Sequence, residues 1–299
     1  MNVRPLVALG IAVLAAACIP EAPPETPPPP DPPPSPTASE AARPTAPLPS
    51  ATAAAEAAPL PPVELRPADD PRAPERMPRV TVLSPRGGEL VRADKLPGFE
   101  VKLDVFGWPM APGEAHVVVI LDDGPPRLVT EPKATLKLAE LVPGGRKPSV
   151  GHHLLFVYPA RKEGVAVRPE RGKSAPFAVV PFAVGEAGRR AWKPSDPMVV
   201  IGRPRGAYAG PAADDVLLDF YLFAAELGPK KQALRATVTL PGGESRTFPI
   251  ASWAPQLLRN LPTGDVRVRL ELLDRDGKPV TSAYAAAERS FSVARDPGR

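Results

Sequence analysis

The chain has few of the residues from which disulfides, metal centres and membrane spans are built. It has one Cys, Cys18, and three His in 299 residues. A single thiol excludes an intrachain disulfide and a cysteine-based metal site. No apolar run reaches the roughly 20 residues of a spanning helix. Every Trp, Tyr and Phe lies at Phe99 or later, so the first third lacks the side chains that dominate core packing. Lys is scarce against Arg, 11 to 26, and no basic run is interleaved with stacking aromatics. That excludes nucleic acid as a partner. The Arg, Ala, Pro and Gly excess is the bias of a GC-rich genome, and the net charge of +4 needs no anionic partner to explain it.

Proline is abundant. Of 46 Pro, 21 fall between Pro20 and Pro78. Residues 18–78 therefore read as a disordered Pro/Ala-rich tether, unable to bury enough apolar area to offset ordering entropy. Residues 20–78 hold nine acids against four Arg. The positive charge consequently sits on residues 79–299, which are expected to fold without the tether.

Residues 1–17 form a three-part secretory signal: a positive start at Arg4, an apolar stretch over Leu6–Leu14, and small residues at Ala15–Ala17. The sequence Leu14-Ala15-Ala16-Ala17-Cys18 resembles the lipobox of bacterial lipoproteins, with Leu four rather than three residues before the Cys. The resemblance implies lipidation of Cys18, and with it membrane partnership through the lipid. Two or more acyl chains give a stable anchor. Ile19, in place of the inner-membrane retention residue Asp of enterobacterial lipoproteins, implies an outer-membrane location in the cell envelope.

From residue 79 onward, apolar stretches of five to eight residues alternate with turn signals such as Ser84-Pro85-Arg86-Gly87-Gly88 and Leu240-Pro241-Gly242-Gly243-Glu244. This predicts an all-β fold. Four segment pairs repeat in chain order: Ser84–Gly87 with Arg203–Gly206, Val101–Phe106 with Val216–Tyr221, Leu141–Gly144 with Leu261–Gly264, and Phe182–Val184 with Phe291–Val293. The repeat predicts two tandem β-sandwiches, 79–186 and 198–295, with a linker over 187–197 and each unit able to fold alone. Each unit resembles an immunoglobulin-like domain. The first also resembles uncharacterised bacterial envelope proteins through His116, Leu121, Asp122 and Asp123, and then Gly151, His153, Leu155, Tyr158, Pro159 and Arg161.

Candidate chemistry is thin. His116 and His153 stand at the starts of two strands expected to be neighbours. With Asp122 they would offer a borderline metal site; the competing reading is hydrogen bonding to loop carbonyls at a sandwich end. Trp108 and Trp192 lie in loop or linker contexts and offer stacking faces for a sugar ring, or else pack over the sandwich ends. Trp253 is expected in the core near Leu261. Gly172-Lys173-Ser174 imitates the end of a P-loop but lacks its first Gly. Asp274-x-Asp276-Gly277 begins like a calcium loop, but Lys278 occupies the next ligand position, so it reads as a hairpin turn. The sequence thus predicts no catalytic residues, no cofactor and no enzyme. It points to a lipid-anchored envelope protein that presents two immunoglobulin-like domains to envelope protein or other cells. The alternative is a ligand-binding lipoprotein for a glycan, or for metal through His116/His153.

Overall fold

The computed structural model describes residues 61–169, 176–187 and 192–295. Cys18 and the Gly172–Ser174 tripeptide lie outside them. The described residues form strands joined by turns and short 3-10 segments. In chain order the strands are β1 (Glu64–Pro67), β2 (Arg79–Ser84), β3 (Leu90–Val91), β4 (Glu100–Phe106), β5 (His116–Leu121), β6 (Arg127–Val129), β7 (Lys133–Lys137), β8 (Gly151–Ala160) and β9 (Ala178–Val184). There follow β10 (Met198–Arg203), β11 (Ala207–Ala209), β12 (Asp215–Phe223), β13 (Ala233–Thr239), β14 (Ser245–Ile250), β15 (Gln256–Arg259), β16 (Gly264–Leu273) and β17 (Ala286–Ala294). Strand β16 shows the cause locally. Val266, Val268, Leu270 and Leu272 are buried while Arg267 and Arg269 are exposed, the period-two pattern of a sheet with one wet face.

Both sandwiches have the same topology. In the first, β2-β4-β7 faces β3-β9-β8-β5-β6; in the second, β10-β12-β15 faces β11-β17-β16-β13-β14. In each, the first strand bulges, passes a cis-proline (Ser84-Pro85, Arg203-Pro204) and crosses to pair in parallel with the last strand. This is the immunoglobulin-like arrangement, and the Pro-Arg-Gly repeat marks its crossover. Leu141 and Leu261 are both fully buried at the corner before the next long strand.

Strand register adjusts two of the repeat matches. Val82 pairs with Leu103, and Ile201 with Phe220, each just before the bulge. Leu103 therefore corresponds to Phe220, and Asp219 to Lys102 rather than to Asp104. The slip is of two residues, so the inward face is unchanged. The glycine that opens the next strand is Gly264 in the second unit and Gly151, not Gly144, in the first. These glycines share a positive φ, 129° and 125°, and face Val293 and Val184 in their ladders.

Two expectations each meet a feature of the fold. The first concerns the tether. Its described end is not detached: β1 pairs antiparallel with β15, from Glu64↔Arg259 to Pro67↔Gln256. Val63 and Leu65 pack against the second core. The exposed edge of β15 offered unpaired backbone groups, and the alternation Val63-Glu64-Leu65-Arg66 supplied a strand to cover it. The second concerns separability. Each sandwich has its own core, but a third core lies between them. The outward faces of β5 and β8 (Val118, Ile120, Leu154, Phe156, Tyr158) pack against those of β10 and β12 (Met198, Val200, Tyr221, Phe223). Aromatic rings fill it: Phe177 meets Phe223 edge-on at 4.3 Å and Tyr158 meets Tyr221 at 5.0 Å. Approach is close enough that a Cβ on Gly202 would lie 2.0 Å from the Tyr158 hydroxyl.

Candidate functional site

The polar residues singled out by sequence collect around this junction, though not in the grouping expected. β5 and β8 are neighbours but antiparallel, with His116 opposite Ala160 and Leu121 opposite Leu155. Their starts are therefore at opposite ends. His153 lies beyond Leu121, about 20 Å along the ladder from His116 at roughly 3.3 Å per residue. The two imidazoles do not meet, and among the described residues no three His, Cys, Asp or Glu cluster as metal ligands.

At one end of the ladder, His153 is 4% exposed. Its Nδ1 is 2.7 Å from Asp122 Oδ2 and its Nε2 is 2.8 Å from the Ser149 carbonyl. Both partners are acceptors, an arrangement that favours the imidazolium, in which both ring nitrogens donate. Burial works against that charge. The Asp122 hydrogen bond, the Ser149 carbonyl and the Asp122 charge outweigh it, and the pKa is raised. Asp122 adopts a positive φ of 53°, a conformation Asp tolerates. Its Oδ1 accepts from the Leu154 amide at 2.8 Å. Next to it, the second sandwich closes on the same turn: Arg289 Nη1 donates to the Asp123 carbonyl at 2.7 Å and to Asp123 Oδ1 at 2.9 Å. Tyr284 faces Asp122, and burial followed by that charge pushes its phenol up. A cleft of about 390 Å³ opens beside this turn, lined by Leu141, Arg146, Lys147 and His153 among others.

At the middle of the junction, Asp219 is fully buried. It accepts from the Ala166 amide at 2.8 Å and from Arg168. Arg168 also holds Asp70 at 3.0 Å, so one guanidinium joins the first sandwich, the second and the chain that leads in from β1. Burial pushes the Asp219 carboxyl up and the Arg168 charge pulls it back. The Tyr221 hydroxyl donates to the Val167 carbonyl at 3.2 Å.

At the far end, His116 is 4% exposed, and its Nδ1 donates to the Glu114 carbonyl at 3.0 Å. Trp108 is half-buried, with Nε1 shared between the His116 and Ala160 carbonyls at 3.2 and 3.3 Å. Trp192 is 7% exposed, inside the junction core. Trp253 packs against both the second core and the junction and donates to the Phe220 carbonyl at 3.1 Å. The candidate Trp and His thus do not share one exposed face. Sequence reading missed Asp219, Arg168 and Arg289 as junction residues. The available signal was an acid inside the apolar run Val216–Phe223.

These features define a chain of two tandem immunoglobulin-like sandwiches fused through a common core. No protein-family model matches the chain, and no curated protein matches it. Among solved structures, the fibronectin(III)-like modules of Clostridium thermocellum CbhA are similar at 13% identity and TM-score 0.26, over 74% of this chain and 96% of that one. The D0-D1 domain of intimin is similar at 10% identity and TM-score 0.24, over 72% and 97%. A tetra-tandem repeat from the extending region of a large adhesion protein is similar at 16% identity and TM-score 0.21, over 72% of this chain and 48% of that one. The architecture itself rests on the strand pairing described above.

Proposed function

We propose that this is a non-catalytic, lipid-anchored protein of the bacterial envelope, held through Cys18. Its two immunoglobulin-like domains act as a single rigid body presented to protein or cell-surface partners. The observation that supports this reading best is the junction. It carries the buried Asp219–Arg168 pair and, at its edge, the pair of Arg289 with exposed Asp123, and both join one domain to the other and fix their mutual orientation. Because β1 is docked on β15, the spacer to the lipid is shorter than the Pro content suggests. Residues 19–60 remain.

Cys18→Ala tests the anchor. The wild-type chain is expected in the detergent-extractable membrane fraction and the variant in the soluble fraction. A variant still held by membranes refutes lipid anchoring. Among the described residues no helix is long and apolar enough to cross a membrane.

A further inference from the structure

Most arginines of the two sandwiches face a carboxylate; Arg203 and Arg205 do not. They flank the cis-proline of the second sandwich's crossover, and among the described residues neither has an ion-pair partner. Both are half-buried. Asp219, the ladder partner of Arg203, is engaged by Arg168, Glu114 beside His116 is engaged by Lys162 at 2.9 Å, and Glu163, just before Gly164, is exposed. The Arg203 guanidinium lies against Gly164, where a Cβ would stand 2.4 Å from its Nε. Gly164 belongs to the turn that follows Ala160, and Ala160 is the ladder partner of His116. His116 is on the outward, junction-facing side of β5, in step with Val118 and Ile120. Its Nδ1 is satisfied by Glu114, but its Nε2 is buried and unpartnered.

Two guanidiniums and the unpartnered edge of a buried imidazole thus lie in one region where the sandwiches meet: both guanidiniums act on His116, and no carboxylate is among the groups that act on His116 or Arg205. Burial, then repulsion from Arg203, lowers the pKa of Arg205. Burial, then the charges of Arg205 and Arg203 against the Glu114 carbonyl, lowers that of His116. Cations desolvated together without an anion are unfavourable, and guanidiniums pair with tetrahedral oxyanions through forked N–H donors.

We propose that Arg203, Arg205 and His116 form a binding site for a phosphate-class oxyanion at the junction of the two domains. The guanidiniums donate to the anion's oxygens. His116 Nε2 takes up a proton and donates to another. Because the ligand touches the first sandwich through His116 and the second through Arg203 and Arg205, it also strengthens their contact.

The test is a titration of the purified full-length chain with inorganic phosphate, against chloride at matched ionic strength. It is read by imidazole NMR and by thermal melting. One imidazole resonance, absent in His116→Gln, should shift saturably. Its titration midpoint should rise with phosphate, because the bound anion favours the imidazolium, and the melting temperature should rise. Arg205→Gln should weaken binding at least tenfold, while Arg205→Lys retains part of it. The chloride melt of each variant separates a binding defect from a folding defect. Glycerol 3-phosphate is the second probe. If it saturates the same resonance, the site accepts a phosphate carried on a larger molecule; if only inorganic phosphate does, the ligand is the free ion. Either result supports the site. No saturable shift beyond chloride, or a shift unchanged in both Arg203→Gln and Arg205→Gln, overturns it.

Discussion

The two buried histidines are shifted in opposite directions by similar burial, and the difference lies in what each ring nitrogen meets. His153 finds an acceptor on each side, one of them charged, so its folded pKa lies above the unfolded value of about 6.5. Its contribution to stability is complete below that value and is lost as pH rises through the folded pKa. His116 has one acceptor and two neighbouring guanidiniums, so its pKa is lowered. Its contribution is present above the unfolded value and lost as pH falls through the lowered folded pKa. An NMR titration should place the two midpoints on either side of 6.5. Asp122→Asn should bring the His153 midpoint down and destabilise the chain by roughly 1.5–3 kcal/mol at pH 6, the range for hydrogen bonds to charged groups. A His153 midpoint unmoved by Asp122→Asn would mean that the pairing does not set its charge. The Asp122–His153 contact is partly legible in the sequence, since both residues belong to the pattern shared with bacterial envelope proteins. Strand adjacency alone would bring His116 and His153 together; strand direction, which the sequence does not reveal, sets them at opposite ends of the ladder.

Elements report their surroundings through how regularly they alternate. Strand β16 alternates and has one wet face. Strands β5 and β8 do not: His116–Leu121 is buried at every position, and β8 is buried from His153 to Ala160. An uninterrupted apolar run is the mark of a strand covered on both sides. The junction was therefore present in the sequence as HVVVIL and LLFVYPA, although composition alone could not say what covered the second face. Strand β1 was hidden for the opposite reason. Four residues among prolines carry little propensity, and pairing with β15 decided the outcome. A chain beginning at residue 79 loses this strand, the Asn260 contact to the Pro62 carbonyl at 3.0 Å and the Asp70–Arg168 pair. It should be less stable than one beginning at residue 61 by about 1–3 kcal/mol, the scale of burying one or two aliphatic side chains. Equal denaturation midpoints for the two chains would show that β1 rests on the second sandwich without stabilising it.

At the scale of the whole molecule, the question is whether two topologically complete sandwiches unfold as two bodies or as one. Interfaces between domains of one chain are commonly polar and permit relative motion. Here the interface is an aromatic layer, with Asp219 and Arg168 buried inside it, and both sandwiches belong to one compact unit. The wild-type chain is expected to show a single calorimetric transition. Leu261→Ala, a truncation in the second core, should shift that transition as a whole instead of splitting off the second domain. Phe223→Ala separates the alternatives more sharply. Phe223 touches Phe156, Phe177 and Tyr221 at ring separations of 5.6, 4.3 and 5.3 Å and belongs to the junction core, not to either sandwich's own. Its removal should cost about 3–5 kcal/mol, taken from the coupling between domains. The expected outcome is a transition that broadens or divides in two, with each half keeping its own core. Two well-separated transitions already present in the wild-type chain, with Phe223→Ala leaving both in place, would mean that the aromatic layer is contact without coupling.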